Sequence, residues 1–180
     1  KLWVSDQYTR AAPGGTGAAK CGGNYAASLI AQAEATEHGC DQVVFLDAAE
    51  HRWIEELGGM NLFFVMNDGS IVTPPLTGTI LPGITRTSII DIARELGMKV
   101  SEAPYGLEQW RADAQSGKLS EAFACGTAAV IASIGEIVSS SGSFRLNKAH
   151  ESPVAKQLKE QLVGIQRGSI ADSRGWVRKI

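Results

Sequence analysis

The segment Gly14-Gly15-Thr16-Gly17-Ala18-Ala19-Lys20-Cys21-Gly22-Gly23-Asn24-Tyr25 sets five glycines around one lysine. Glycine lets a backbone bend sharply or approach a flat ligand closely, so the segment calls for a chemical reading. A Walker phosphate loop needs Gly directly before the lysine and Ser or Thr directly after it; here the neighbours are Ala19 and Cys21. A dinucleotide fingerprint fails as well, because Lys20 stands where the third glycine belongs. Two readings remain. One is a flexible loop with a solvated lysine; the other is a lysine walled off from water beside a cofactor, its amine made nucleophilic toward an aldehyde.

Three further clusters carry candidate chemistry. Glu55-Glu56-Leu57-Gly58-Gly59-Met60-Asn61 leads straight into the apolar run LFFV, which puts a carboxylate at the mouth of a buried strand. That carboxylate is either a solvated end or a partner for a buried cation. Leu81-Pro82-Gly83-Ile84-Thr85-Arg86 opens a helix, whose unpaired first amides favour an anion such as phosphate; an ordinary helix entry reads the same way. Ala124-Cys125-Gly126-Thr127-Ala128-Ala129 ends a strand in small residues, where a ligand can reach backbone amides. None of these is specific alone.

The elements that must position these residues follow from periodicity. Helices are expected over Asn24–His38, Thr85–Leu96 and Leu107–Gln115, and from Pro153 onward with Ser152 as N-cap. Ala27, Ile30, Ala31, Glu34 and Ala35 keep helical spacing in the first, and Ile89, Ile92, Ala93 and Leu96 share one face of the second. Strands are expected at Gln42–Asp47, Arg52–Glu56, Met60–Asn67, Ser70–Thr73, Lys99–Ala103, Glu121–Cys125, Val130–Val138 and Phe144–Leu146, with Asp68-Gly69 making a hairpin turn. So many hairpins exclude a purely parallel sheet and predict an α+β, mixed α/β domain.

Composition sets the outer bounds. The 180 residues are 44% hydrophobic and 20% charged, which is a globular balance large enough for one core. With a net charge of −2 and no basic run longer than Arg178-Lys179, nucleic acid is a poor partner. No apolar run is long enough for a membrane span, so no membrane partner is expected. Cys21, Cys40 and Cys125 are widely spaced and apart from His38, His51 and His150; no metal site is expected, and reduced thiols fit a cytoplasmic protein. Cys21 beside Lys20 reads as a space-filler.

In this order, GGTGAAKCGGNYAAS, EELGGMN, LPGITR and ACGTAA, with GIQRG near the end, resemble fold-type IV enzymes that use pyridoxal 5′-phosphate, specifically branched-chain amino-acid aminotransferases. The resemblance covers the whole chain. It implies an antiparallel-rich pseudobarrel sheet flanked by helices: residues 1–12 as an interdomain linker, 13–180 as the large domain, and a small N-terminal domain absent from this chain. It implies Lys20 as the Schiff-base lysine and proton carrier, Tyr25 bonded to the cofactor ring oxygen, and Glu56 facing the pyridine nitrogen. Glu56 is preferred to Glu55 because it stands five residues before Asn61, the family's spacing. Leu81, Gly83, Ile84, Thr85 and Thr127 would hold the cofactor, and Thr127 with Ala128 the substrate carboxylate.

The activity so implied exchanges the amino groups of leucine, isoleucine and valine with 2-oxoglutarate, in a homodimer of the full-length protein. The redox CxxC of mammalian members is absent, since Ala129 and Ala132 stand there. Rival readings are a D-amino-acid transaminase or aminodeoxychorismate lyase of the same fold, and an inactive domain or non-catalytic binding module.

Overall fold

A computed structural model describes residues 1–146 and 152–178; His150 and Lys179 lie outside them. The strands are β1 (Leu2–Ser5), β2 (Gln42–Leu46), β3 (Ile54–Leu57), β4 (Asn61–Met66), β5 (Ile71–Thr73), β6 (Val100–Glu102), β7 (Leu119–Gly126), β8 (Val130–Ser133), β9 (Glu136–Ser139) and β10 (Gly142–Arg145). The helices are α1 (Gly22–Glu37), α2 (Ile84–Glu95), α3 (Leu107–Ser116) and α4 (Pro153–Arg167). All strands join one sheet, ordered β10-β9-β1-β2-β3-β4-β5-β6, with β7 and β8 branching from β4. Six of its pairings are antiparallel and three parallel, so the domain is mixed α/β with an antiparallel-rich sheet flanked by helices.

The centre of the sheet is β4. Its sequence NLFFVM is buried throughout, and successive side chains must point to opposite faces. Leu62, Phe64 and Met66 join a core with Tyr105 and Trp110, while Phe63 and Val65 join a second core under α2 and α4. The third core packs Ala31 and Ala35 of α1 on Trp3, Val43 and Phe45. Asp68-Gly69 turns β4 into β5 with Gly69 at φ 80°, a conformation that only glycine takes freely. No helix among the described residues is long and apolar enough to cross a membrane.

Several expectations are corrected. Residues 2–5 form β1, which lies inside the sheet, parallel to both β2 and β9, because Leu2 and Val4 feed one core while Trp3 feeds another. The run Val130–Val138 is two strands. Its first half pairs with β7 and its second with β1, so the chain crosses between sheet regions at Ile134-Gly135. Helix α1 buries Asn24, Ser28, Ala31 and Ala35 and leaves Ile30 exposed. Leu96 falls at the C-cap of α2 and is exposed. Pro153 opens α4, but the Ser152 side chain does not cap it; the Glu121 carboxylate of β7 takes the amides of Val154 and Ala155, each at 3.0 Å. A carboxylate at a helix N-terminus does what a cap does, from a distant strand.

Candidate active site

The glycine-rich loop is not loose. Asn24, buried in the first turn of α1, folds its amide back over it: Nδ2 donates to the carbonyls of Thr16 (2.8 Å) and Ala19 (3.1 Å), and Oδ1 accepts from the Thr16 hydroxyl (2.7 Å). Gly17 lies so close to Thr79 that a Cβ there would overlap its backbone. Together these contacts fix the chain just before Lys20. Asn24→Ala is expected to cost about 1–3 kcal/mol, the range for stranding buried polar partners. Urea unfolding reads this directly, and limited proteolysis should then cut between residues 14 and 20.

Lys20 itself is exposed in this chain, as the solvated-lysine reading of its loop has it. Its Nζ lies 5.3 Å from the centroid of the Tyr25 ring. The Tyr25 hydroxyl is buried without a hydrogen-bond partner among the described residues.

The hairpin β3–β4 delivers the carboxylate. Neighbours on a strand point oppositely, so Glu55 and Glu56 part company. Glu55 faces a mainly apolar cavity of about 220 Å³ with Trp53 and Ile80, accepts from the Thr79 hydroxyl, and is pushed up from the usual carboxylate range by burial. Glu56, 2% exposed, faces the Lys20 side. Its Oε1 is ion-paired with Arg10 Nη1 at 2.8 Å and accepts from the Leu81 amide at 2.9 Å, which leaves Oε2 unbonded among the described residues. Burial pushes its pKa up to about 7, against the opposing pull of Arg10.

Arg10 carried no sequence signal, yet it ties the region together. It is 3% exposed, and besides its ion pair with Glu56 its Nη1 donates to the carbonyls of Thr79 (2.9 Å) and Gly17 (3.4 Å). Its Nε is buried without a partner among the described residues, and its guanidinium lies 5.8 Å from the Tyr25 ring centroid. Isolated in YTRAAP, with partners far along the chain, it has no spacing to betray it. Asn61 was likewise only a marker of spacing; it proves to be buried and to donate to the Leu81 carbonyl.

One cavity of about 290 Å³ gathers Lys20, Glu56, Leu81, Gly83, Ile84, Thr85 and Thr127 from four separated segments. Tyr25 adjoins it through Lys20, whereas Ala128 is exposed in the turn after Thr127 and does not line it. Gly83 is the N-cap of α2 and supplies no side-chain cap, so the first amides of the helix are open to an anion. Ile84, 84% exposed, stands on the rim. Cys125 lines the wall as a protonated thiol, its pKa pushed up to about 12 by burial, which removes it as a nucleophile. The described residues contain no group of three or more His, Cys, Asp or Glu able to hold a metal ion.

An amine, a carboxylate and an anion-receiving helix end thus share one cavity, and known proteins share the sequence and fold that build it. The branched-chain-amino-acid aminotransferase of Mycobacterium tuberculosis is 51% identical over 182 residues, covering 99% of this chain and 50% of that protein. The Escherichia coli branched-chain amino acid aminotransferase superposes with TM-score 0.83 at 36% identity, over 99% of this chain and 56% of that one. A T.th. branched-chain amino acid aminotransferase, complexed with N-(5′-phosphopyridoxyl)-L-glutamate, gives TM-score 0.81 at 31% identity over 98% and 55%. The chain spans about half the length of the curated relatives it matches. A family model described as amino-transferase class IV matches residues 1–137, and the chain belongs to that family.

Proposed function

We propose that this chain carries the lysine-bearing part of an aminotransferase that uses pyridoxal 5′-phosphate to exchange amino groups between branched-chain L-amino acids and 2-oxoglutarate. The observation that carries the proposal is the shared cavity of Lys20, Glu56 and the N-terminus of α2. The groups present fit the cofactor. Tyr25 has a buried hydroxyl in need of a partner, as a ring oxygen would provide. Glu56 has an unbonded oxygen for a protonated ring nitrogen, and α2 has open amides for a phosphate. The relatives' substrates, and the phosphopyridoxyl glutamate held by the T.th. enzyme, support the substrate couple.

Pyridoxal phosphate, when bound, supplies an aldehyde for the amine and a ring that draws electrons away from the substrate α-carbon. The chain's residues do the rest. Lys20 would hold the cofactor through its amine and, once the substrate amine has taken that place, would as the released amine carry a proton from the substrate α-carbon to the cofactor C4′. Glu56 keeps a proton on the ring nitrogen. Tyr25 orients the ring, Ile84, Thr85 and Thr127 hold the phosphate, and Thr127 with Ala128 receives the substrate carboxylate. The remaining wall over Lys20, including a phosphate-binding cation and the aromatic lining, is proposed to come from a small domain outside these 180 residues, with the full-length protein a homodimer. All three cysteines are free, and the proposed setting is the cytosol, where thiols stay reduced.

Borohydride reduction of the full-length protein with pyridoxal phosphate, followed by peptide mapping, is expected to put the label on Lys20 alone. A label on another lysine, or none, would overturn the assignment. Transamination of L-leucine but not D-alanine separates the proposal from a D-amino-acid enzyme.

A further inference from the structure

Asn61 stands directly across the β3–β4 hairpin from Glu56, and both side chains grip the same short segment. Glu56 Oε1 accepts from the Leu81 amide at 2.9 Å, and Asn61 Nδ2 donates to the Leu81 carbonyl at 3.0 Å. That carbonyl also accepts from the Gly83 amide at 2.8 Å, which closes the turn through Pro82 into α2. Pro82 has no N–H to give, and Gly83 has no side chain to cap the helix. The turn therefore leans on the Asn61 amide. Gly83 repeats the point from the other side. Its backbone, at φ −65°, would suit alanine, yet a Cβ there would collide with Asn61 Oδ1, its next neighbours lying 3.5 and 3.6 Å away. Asn61 is buried and lines the cavity together with Gly83, Ile84 and Thr85.

We propose that Asn61 is a positioning residue for the anion-holding end of the cavity: by gripping the Leu81 carbonyl it aims the first amides of α2, in register with the grip of Glu56 on the Leu81 amide. The proposal rests on reading the cavity as a pyridoxal phosphate site, in which those amides receive the phosphate. In this reading Asn61 acts through the Leu81 carbonyl and not on the reacting carbon or the lysine, so its loss should weaken phosphate recognition selectively.

The test compares the affinities of the full-length protein for pyridoxal 5′-phosphate and for pyridoxal, which has the same ring and aldehyde but no phosphate. In Asn61→Ala, affinity for the phosphorylated form is expected to fall about tenfold or more, the worth of one well-placed hydrogen bond, with pyridoxal affinity changed less than about twofold. Gly83→Ala should give the same selective loss, because its methyl displaces the Asn61 amide. The double variant should be no worse than Asn61→Ala, since the collision is gone. An unchanged preference for the phosphorylated form, equal losses for both ligands, or additive effects in the double variant would overturn the proposal while leaving the cofactor reading intact. A wild-type protein that binds neither compound would overturn both.

Discussion

Glu56→Gln in the full-length protein is expected to keep its fold and bound cofactor and to lose about 10²–10³-fold in turnover, or roughly 3–4 kcal/mol of barrier. Glutamine preserves the shape. Its Oε1 can still face Arg10 and accept from the Leu81 amide, the two contacts the carboxylate makes at 2.8 and 2.9 Å. The change falls on the other atom: an NH₂ group replaces the free Oε2, and it donates where the carboxylate accepted. A donor favours a ring nitrogen without its proton, and the ring then draws electrons poorly. The measurement is kcat and KM for leucine with 2-oxoglutarate, beside the absorbance of the bound cofactor. The loss should fall on kcat, because the charge matters at proton removal and not in holding the substrate. Turnover within about tenfold of wild type, less than about 1.4 kcal/mol, would take the role away from Glu56.

What could be read in the sequence was what is local. Lys20 among glycines, Gly83 at a helix entry and Thr127 after a strand each announce themselves within a few residues, and one cavity collects them. Elements with a strict period, such as α2 with Ile89, Ile92 and Ala93, were legible for the same reason. The failures share a different cause. The partner of LWVS could not be read, because nothing local says that β9, more than a hundred residues on, will pair with it. VIASIGEIV looked like one strand because its break is set by a change of partner. Arg10 is held by Gly17, Glu56 and Thr79, and no motif joins those four positions. The exposure of Lys20 depends on which surfaces face it, and glycine spacing says nothing of that.

Arg10→Met should show how far the fold depends on this hidden arginine, and the answer should change with pH. Arg10 and Glu56 side chains are 1% and 2% exposed, so removing the cation strands a carboxylate that can reach little water. Glu56 already sits at about 7, above the ordinary carboxylate value, because burial outweighs the pull of Arg10. A raised folded-state pKa means that the folded protein holds the proton more tightly than the unfolded chain. The stability it brings is complete below the unfolded value and disappears as pH rises through the folded one. The cofactor-free wild type should therefore lose stability between about pH 4.5 and 7 and level off above. Without Arg10 the pKa moves higher still, and the decline runs on past neutrality. At pH 8 the variant is expected to be about 3–5 kcal/mol less stable than wild type. At pH 5, where Glu56 is protonated in both proteins, the gap should shrink toward the worth of the lost bonds to Gly17 and Thr79. Arg10→Lys keeps the charge but not the planar guanidinium whose Nη1 meets both Glu56 and the Thr79 carbonyl, so it should fall between the two. Urea titrations of the cofactor-free proteins at both pH values decide the matter. A gap that stays constant with pH would mean that Arg10 acts through packing and carbonyl bonds alone, and that its charge does not govern Glu56.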